Sequence, residues 1–186
     1  MVSQIKVNEI IKQSGSSITI GESGDTVTIP SGATLSNQGT TVPTTFGKIG
    51  QVVNAIDSTN DSFTSATFAA ASCTASITPS ATSSKILVMY NAPVLMSGSA
   101  NSYAEMRLFR DTTELRIFTD IGCYNAAAQT ATQTYHYDYL DSPSSTSSIS
   151  YYAKYAEHGS STLYLNHTGG SGGAGSSTMT LLEILA

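Results

Sequence analysis

Apolar and polar residues alternate along most of this chain, in short runs separated by turn-forming residues. A period of two places successive side chains on opposite faces of a strand, and no stretch longer than a few turns repeats with the helical period. Beyond residue 45, strands are predicted over residues 50–56, 63–68, 73–77, 85–90, 103–109, 114–118, 133–140, 149–155, 162–165 and 178–185. We therefore expect an all-β fold, an antiparallel β-sandwich of the jelly-roll type over residues 46–186.

The first 42 residues form a separate segment with a different pattern of residues. Residues 18–20, 27–29 and 33–35 are three short alternating runs, and glycine- and proline-containing turns separate them. Such short strands bury too little surface to be stable alone. Partner strands from another protein or from further copies of this chain must therefore cover their apolar residues, which are Ile18, Ile20, Val27, Ile29 and Leu35.

Residues 1–15 carry a second apolar set. This set comprises Ile5, Val7, Ile10 and Ile11, and its spacing suits a helical turn and a strand equally well. A chain terminus is ordered only when something holds it, so we expect a partner protein or sister copies to bind here. The turn-rich residues 38–45 then separate this segment that needs partners, residues 1–42, from the sandwich.

The last predicted strand, 178–185, is apolar at nearly every position. A strand that is apolar on both faces is covered on both faces. We expect it at the centre of a sheet or at a subunit interface.

Charged residues are scarce, and their scarcity disfavours some classes of binding function. Only 11% of residues are charged, whereas Ser and Thr supply 54 of the 186 residues. Eight scattered Lys and Arg residues predict no nucleic-acid binding, and a net charge of −5 disfavours anionic membranes. Charges near the start interrupt any signal-peptide core, so we expect synthesis in a cytoplasm. Cys73 and Cys123 have no close Cys neighbour and are interpreted as small core residues.

Tyrosines are concentrated in two places. In Tyr135-His136-Tyr137-Asp138-Tyr139, alternation puts three rings on one face of a strand, and Tyr151 and Tyr152 follow on the next predicted strand. One hypothesis is a glycan-binding platform made of Tyr135, Tyr137, Tyr139, Tyr151 and Tyr152; the other is tyrosine packing inside a sheet or between subunits. His136 and Asp138 alone are too few ligands for a metal.

No catalytic constellation is recognisable, so we expect neither an enzyme nor a cofactor or metal. The three His and 13 carboxylates show no acid–base spacing. Asp57 and Asp61 are interpreted as an Asx turn, with a weak calcium loop as the alternative. The glycines of 169–175 match two nucleotide and hydrolase patterns, but no helix is predicted to follow them, so a flexible loop is expected.

Four phrases in the chain resemble a known group of proteins. They are SQIKVNEI at 3–10, ITPSATSSKILV at 77–88, YLDSP at 139–143 and the closing TMTLLEILA at 178–186. These phrases are similar to phrases of the tail-fibre-like and virion-appendage proteins of marine and cyanobacterial bacteriophages. None of the phrases holds a catalytic or ligand residue.

The resemblance implies a structural component of the virion. It implies a homotrimer with a slender N-terminal part and a β-rich head that faces outward. Residues 1–42 would then be the attachment and trimerisation segment, which binds a capsid or tail protein and in which three copies wrap round a common axis. Tail fibres, head fibres and capsid decoration proteins look alike at this level. A tail position would make a host surface glycan a further partner, through the tyrosines named above.

Overall fold

The computed structural model describes residues 26, 28, 48–98, 101–121, 129–168 and 173–185. Within these ranges the regular structure is entirely β, and every paired strand is antiparallel, as the period-two pattern predicts. The strands of this part of the chain are β1 (Lys48–Asp57), β2 (Ser62–Phe63), β3 (Ala69–Ile77), β4 (Lys85–Gly98), β5 (Tyr103–Arg110), β6 (Thr113–Ile121), β7 (Gln129–Asp141), β8 (Ile149–His158), β9 (Thr162–Leu165), β10 (His167–Thr168), β11 (Gly173–Ala174) and β12 (Ser177–Leu185).

The larger sheet is built round the 14-residue strand β4. One edge of β4 pairs with β7 along residues 86–98, and the other edge pairs with β12 at residues 85–91 and with β9 at residues 94–97. β1 extends the sheet beyond β12, and β2 extends it beyond β9. The smaller sheet has the order β3-β8-β5-β6, while β10 and β11 form a two-stranded ribbon.

The two sheets face each other across one hydrophobic core. Alternate residues of the long strands point into it, as the burial of Ile86, Val88 and Tyr90 on β4 shows. The smaller sheet contributes its own alternate positions, including Met106 on β5 and Tyr155 on β8, both fully buried. Cys73 on β3 is buried in this core, as predicted, and Cys123 lies outside the described residues.

Each predicted strand overlaps an observed one, and the bounds differ by more than three residues for four strands, one of which is β3, which begins at Ala69 instead of residue 73. The strand expected at 63–68 shrinks to the two residues of β2, and β4 continues past Tyr90 to Gly98. β7 begins four residues earlier than expected, because the Thr- and Gln-rich stretch from Gln129 pairs with the second half of β4. Part of the expected glycine loop, Gly173–Ala174, is the short strand β11.

A buried carboxylate joins the sheets where β7 ends. Asp141 is 5% exposed and accepts two hydrogen bonds from Arg110 Nη1, at 3.0 and 2.8 Å. The Tyr151 hydroxyl donates to the same carboxylate at 2.7 Å. Arg110 and Tyr151 belong to the smaller sheet, so their contacts with Asp141 cross the core. Burial of a charge is costly unless it is paired and hydrogen-bonded, and Asp141 is both.

Arg110 and Arg107 on β5 offer a matched test of this inter-sheet pair. Replacing Arg110 with Ala leaves the buried Asp141 charge without a cation, so we expect the free energy of unfolding to fall by about 3 kcal/mol. Arg107 pairs at 2.9 Å with the half-exposed Glu114 and lies 4.0 Å from the centre of the Phe68 ring, so Arg107→Ala should cost only about 1–1.5 kcal/mol. Urea unfolding at neutral pH measures both. Equal losses would show that the Asp141 pair adds nothing beyond a surface ion pair.

Candidate interaction surface

The outer face of the larger sheet carries apolar side chains that no other element of the described residues covers. The register aligns Val52, Leu182, Leu87 and Leu140 as one row across β1, β12, β4 and β7. Ile49 and Ile184 form a second pair towards the end of the sheet. We call these six residues the apolar patch.

Exposure is greatest at the two sides of the patch. Val52 is 59% exposed, Ile49 60% and Leu140 48%, whereas the central Leu87, Leu182 and Ile184 are half-buried by their neighbours. A small pocket lined by Ser83, Lys85, Ile184 and Leu185 adjoins the patch. Contiguous apolar surface of this kind marks interaction sites more often than isolated exposed residues do.

A row in which three of the four residues are polar bounds the patch on the other side. Asn54, Thr180, Met89 and Asp138 occupy the next outward positions on the same four strands, and Asn54 Nδ2 donates to Thr180 Oγ1 at 2.8 Å. The last strand, predicted to be central or at a subunit interface, is central: β12 lies between β1 and β4. Its outward residues Leu182 and Ile184 belong to the patch.

A buried carboxylate, Glu183, lies directly beneath the patch on the inner side of β12. It is 1% exposed and accepts hydrogen bonds from Ser80 N at 2.6 Å, from Ser80 Oγ at 2.7 Å and from Gln51 Nε2 at 2.7 Å. Gln51 Nε2 also donates to the Thr78 carbonyl at 2.7 Å. Glu183 therefore ties β1, β12 and the β3–β4 connection together at one end of the sandwich.

These contacts set the charge state of Glu183. Burial alone raises the pKa of a carboxyl, but here the opposing contributions of Ser84, Gln51 and Ser80 outweigh it and lower the pKa to about 2. The Ser84 hydroxyl lies near the carboxylate but makes no hydrogen bond of good geometry with it. The hydrogen bonds that Gln51 and Ser80 donate to Glu183 are short. Glu183 is thus ionised at neutral pH.

A β-bulge in β1 makes room for this network. Residues Gly50 and Gln51 together oppose Glu183, since Ile49 pairs with Ile184 and Val52 pairs with Leu182. A Cβ atom on Gly50 would lie 2.9 Å from Leu185 Cδ2 and 3.1 Å from Glu183 Oε2, so a larger residue here would displace the end of the Leu185 side chain. The bulge turns Gln51 inward while Ile49 and Val52 stay outward.

Asp141 stands in the same row as Glu183. Ile86 of β4, fully buried, pairs with Glu183 on one side and with Asp141 on the other. The two carboxylates use different partners, neutral donors for Glu183 and Arg110 with Tyr151 for Asp141. Sequence analysis missed both of them; the only signal was that each lies within a phrase of the resemblance.

Three of the five tyrosines of the glycan hypothesis lie on β7, as the alternation predicts. Tyr135, Tyr137 and Tyr139 are half-buried on the inner side, and His136 and Asp138 are exposed on the outer side. Tyr137 packs on Phe118 with ring centroids 4.5 Å apart and stacks on Tyr135 and Tyr90 at 6.0 and 6.4 Å. These rings thus extend the core.

Tyr151 and Tyr152 do not join the β7 rings on one surface, because β8 belongs to the smaller sheet. Tyr151 is fully buried at Asp141, whereas Tyr152 lies on the outer face of the smaller sheet. There it stacks on Phe109 at 5.6 Å, and its hydroxyl donates to the Asp111 carbonyl at 2.8 Å. The glycan-binding role of the five tyrosines remains a prediction.

The two carboxylates of the expected Asx turn serve as hydrogen-bond acceptors. Asp57 Oδ1 accepts from Thr59 Oγ1 at 2.8 Å, and Asp61 accepts from the backbone and hydroxyl of Ser72, both at 2.7 Å. Nearby, the fully buried Asn166 donates to the Thr59 carbonyl at 2.8 Å. Within the described ranges, no group of three or more His, Cys, Asp and Glu side chains is placed to hold a metal ion.

The predicted attachment residues lie outside the described residues. This holds for Ile5, Val7, Ile10, Ile11, Ile18, Ile20, Val27, Ile29 and Leu35. Thr26 and Thr28, which are described, are exposed. The part of the chain that the structure describes contains no helix long and apolar enough to cross a membrane. Comparison of the sequence with protein-family models and with curated proteins gave no match.

Two Tyr→Phe changes distinguish packing from hydrogen bonding in the core. The Tyr137 hydroxyl is buried and has no hydrogen-bond partner among the described residues, so Tyr137→Phe should leave stability unchanged or raise it by up to about 1 kcal/mol. Tyr151→Phe removes the donor to Asp141 and should cost about 1–2 kcal/mol. Chemical denaturation measures both. A larger loss for Tyr137→Phe than for Tyr151→Phe would contradict this assignment.

The Glu183 network predicts a pH dependence. Because its folded pKa, about 2, lies below the ordinary 4.5, Glu183 stabilises the fold above pH 4.5, and this contribution is lost as pH falls towards 2. Glu183→Gln should cost about 2–3 kcal/mol at pH 7, since an amide has one acceptor oxygen where the two oxygens of the carboxylate accept three hydrogen bonds. It should also flatten the stability profile between pH 4.5 and 2.

The matched control is the half-exposed Glu114. Glu114→Gln should change stability by less than about 1 kcal/mol and leave the acid slope nearly intact. Thermal melting across the pH series measures the profiles. The same acid slope in Glu183→Gln as in the unaltered protein would rule out the network as its source.

Proposed function

We propose that this chain is a non-enzymatic structural protein of a phage virion. It is a homotrimer in which residues 1–42 bind a capsid or tail protein and residues 46–186 form an outward-facing head. It is made in the host cytoplasm and assembled on the particle. The sequence resemblance is the origin of this proposal, and two features of the head support it.

The observation that carries the proposal is where the phrases of the resemblance lie. Ser80 and Ile86 belong to the first head phrase, Asp141 to the second and Glu183 to the third. These residues are far apart in the chain, yet Ser80 bonds to Glu183 and Ile86 pairs with both Glu183 and Asp141. The phrases therefore encode one structural unit, which is what a shared head fold requires.

The pairing of the eight longest strands supports a jelly-roll head. β1 pairs with β12, β3 with β8, β4 with β7 and β5 with β6, so the pairs are nested along the chain. Strands pair in this nested order when one long β-hairpin is rolled up so that its strand pairs fall into two sheets. Jelly rolls of this kind recur in viral capsid proteins and in lectins. Since a fold alone does not define a function, the phrases rather than the fold carry the virion assignment.

A glycan-binding head of a tail fibre is the second candidate. One observation favours it: the stacked rings of Phe109 and Tyr152 stand on an outer sheet face, with Lys154 Nζ 4.5 Å from the Phe109 ring centre. Aromatic rings flanked by polar groups can bind a sugar ring. Glycan binding that Tyr152→Ala abolishes would favour this role, whereas silence on a glycan array would remove it.

The proposal makes two linked predictions for the full-length protein. Its mass in solution at micromolar concentration should be three times 19.4 kDa, about 58 kDa. It should also remain with phage particles through density-gradient purification, as detected by mass spectrometry. Light scattering after size exclusion measures the mass. A monomer that is absent from the particles would refute the proposal.

A further inference from the structure

The apolar patch needs a covering partner, and its position indicates which one. The patch lies at the end of the larger sheet where β1 begins, at Lys48, and Ile49 is its first residue. Forty-seven residues precede β1, and they include the segment predicted to hold three copies together. Copies joined by that segment would be brought together at this end of the head.

The residues of the patch carry no charge, so burying their side chains removes no charged group of the patch from water. All six are aliphatic, and the charged residues nearest to them in the sheet register are Lys85 and Asp138 at its borders. Two more exposed apolar side chains, Met89 (43%) and Ile56 (68%), lie further along the same face.

The size of the face determines how much of the contact between heads it can supply. Four strands and four rows of outward residues span roughly 20 Å by 20–25 Å, or about 400–500 Å². Three such faces round one axis come to about 1,200–1,500 Å² in all, or about 400–500 Å² for each pair of heads, which is below the range of specific interfaces, so the segment predicted to hold the copies together must supply the rest of the contact. A closed arrangement of identical copies also leaves no patch uncovered.

We propose that the outer face of the larger sheet, centred on the apolar patch, is the surface by which three heads pack together. The three faces turn towards a common axis, like the walls of a prism, and Leu182 and Leu87 lie nearest to it. This inference rests on the proposed trimer and deepens it by assigning the surface that the heads use.

Cysteine labelling of the full-length chain tests this surface. Leu140 in the patch is 48% exposed, and Ile117 on the outer face of the smaller sheet is 47% exposed, so the two are matched in a single copy. Leu140→Cys and Ile117→Cys are each made with Cys123→Ser. Cys73 can stay, because its burial and the nearby Asp57 and Asp61 raise the pKa of its thiol to about 11 and keep it unreactive.

We expect the thiol at position 140 to react with a maleimide at least tenfold more slowly than the thiol at 117 when the protein is trimeric. On dilution to monomer the two rates should converge. A charged variant, Leu140→Glu, should shift trimer dissociation to at least tenfold higher concentration, while Ile117→Glu should not. Circular dichroism verifies that each variant is folded.

The outcomes separate the two proposals. Equal labelling rates in a trimer of about 58 kDa would overturn the head interface and leave the trimer intact. Protection of position 140 in a chain that sediments as a monomer would mean that something other than a second copy covers the patch, and would also overturn the inference. A monomer with equal rates would refute the proposed trimer itself.

Discussion

A row of three residues, Glu183, Ile86 and Asp141, crosses the larger sheet and closes one end of the core. Each carboxylate is buried, and each is stable there only because donors are already in place: Ser80 and Gln51 for one, Arg110 and Tyr151 for the other. Those donors come from β1, from the β3–β4 connection and from both central strands of the smaller sheet. The row therefore fixes how the sheets and connections meet at this end.

The same row determines what faces outward. In a strand, neighbouring residues point to opposite faces, so burial of Glu183, Ile86 and Asp141 turns Leu182, Leu87 and Leu140 to the outer face. A one-residue shift in register would bring the apolar row inside and expose the carboxylates. The same strand register thus places the carboxylate network on the inner face and the apolar patch on the outer face. It connects the stability of the head to its proposed assembly.

Much of the fold could be predicted from local pattern, because alternation and turn residues act over a few positions. The strands, the central place of β12 and the alternation of Tyr135, Tyr137 and Tyr139 all follow from such short-range signals. The partners of those tyrosines did not follow, since β7 and β8 are consecutive in the chain but lie in opposite sheets. The roles of Glu183 and Asp141 were also hidden, because a single acidic residue in an apolar strand carries no sign of the donors that approach it from 31 or 103 residues away.

The central claim is that the outer face of the larger sheet turns towards the axis of a trimer. A cryo-electron microscopy reconstruction of the chain on its particle tests this most directly. The account predicts three heads round one axis, with the row Val52–Leu182–Leu87–Leu140 facing inward and residues 1–42 in contact with a capsid or tail protein. Heads that stand apart, or that present this row to solvent, would contradict it.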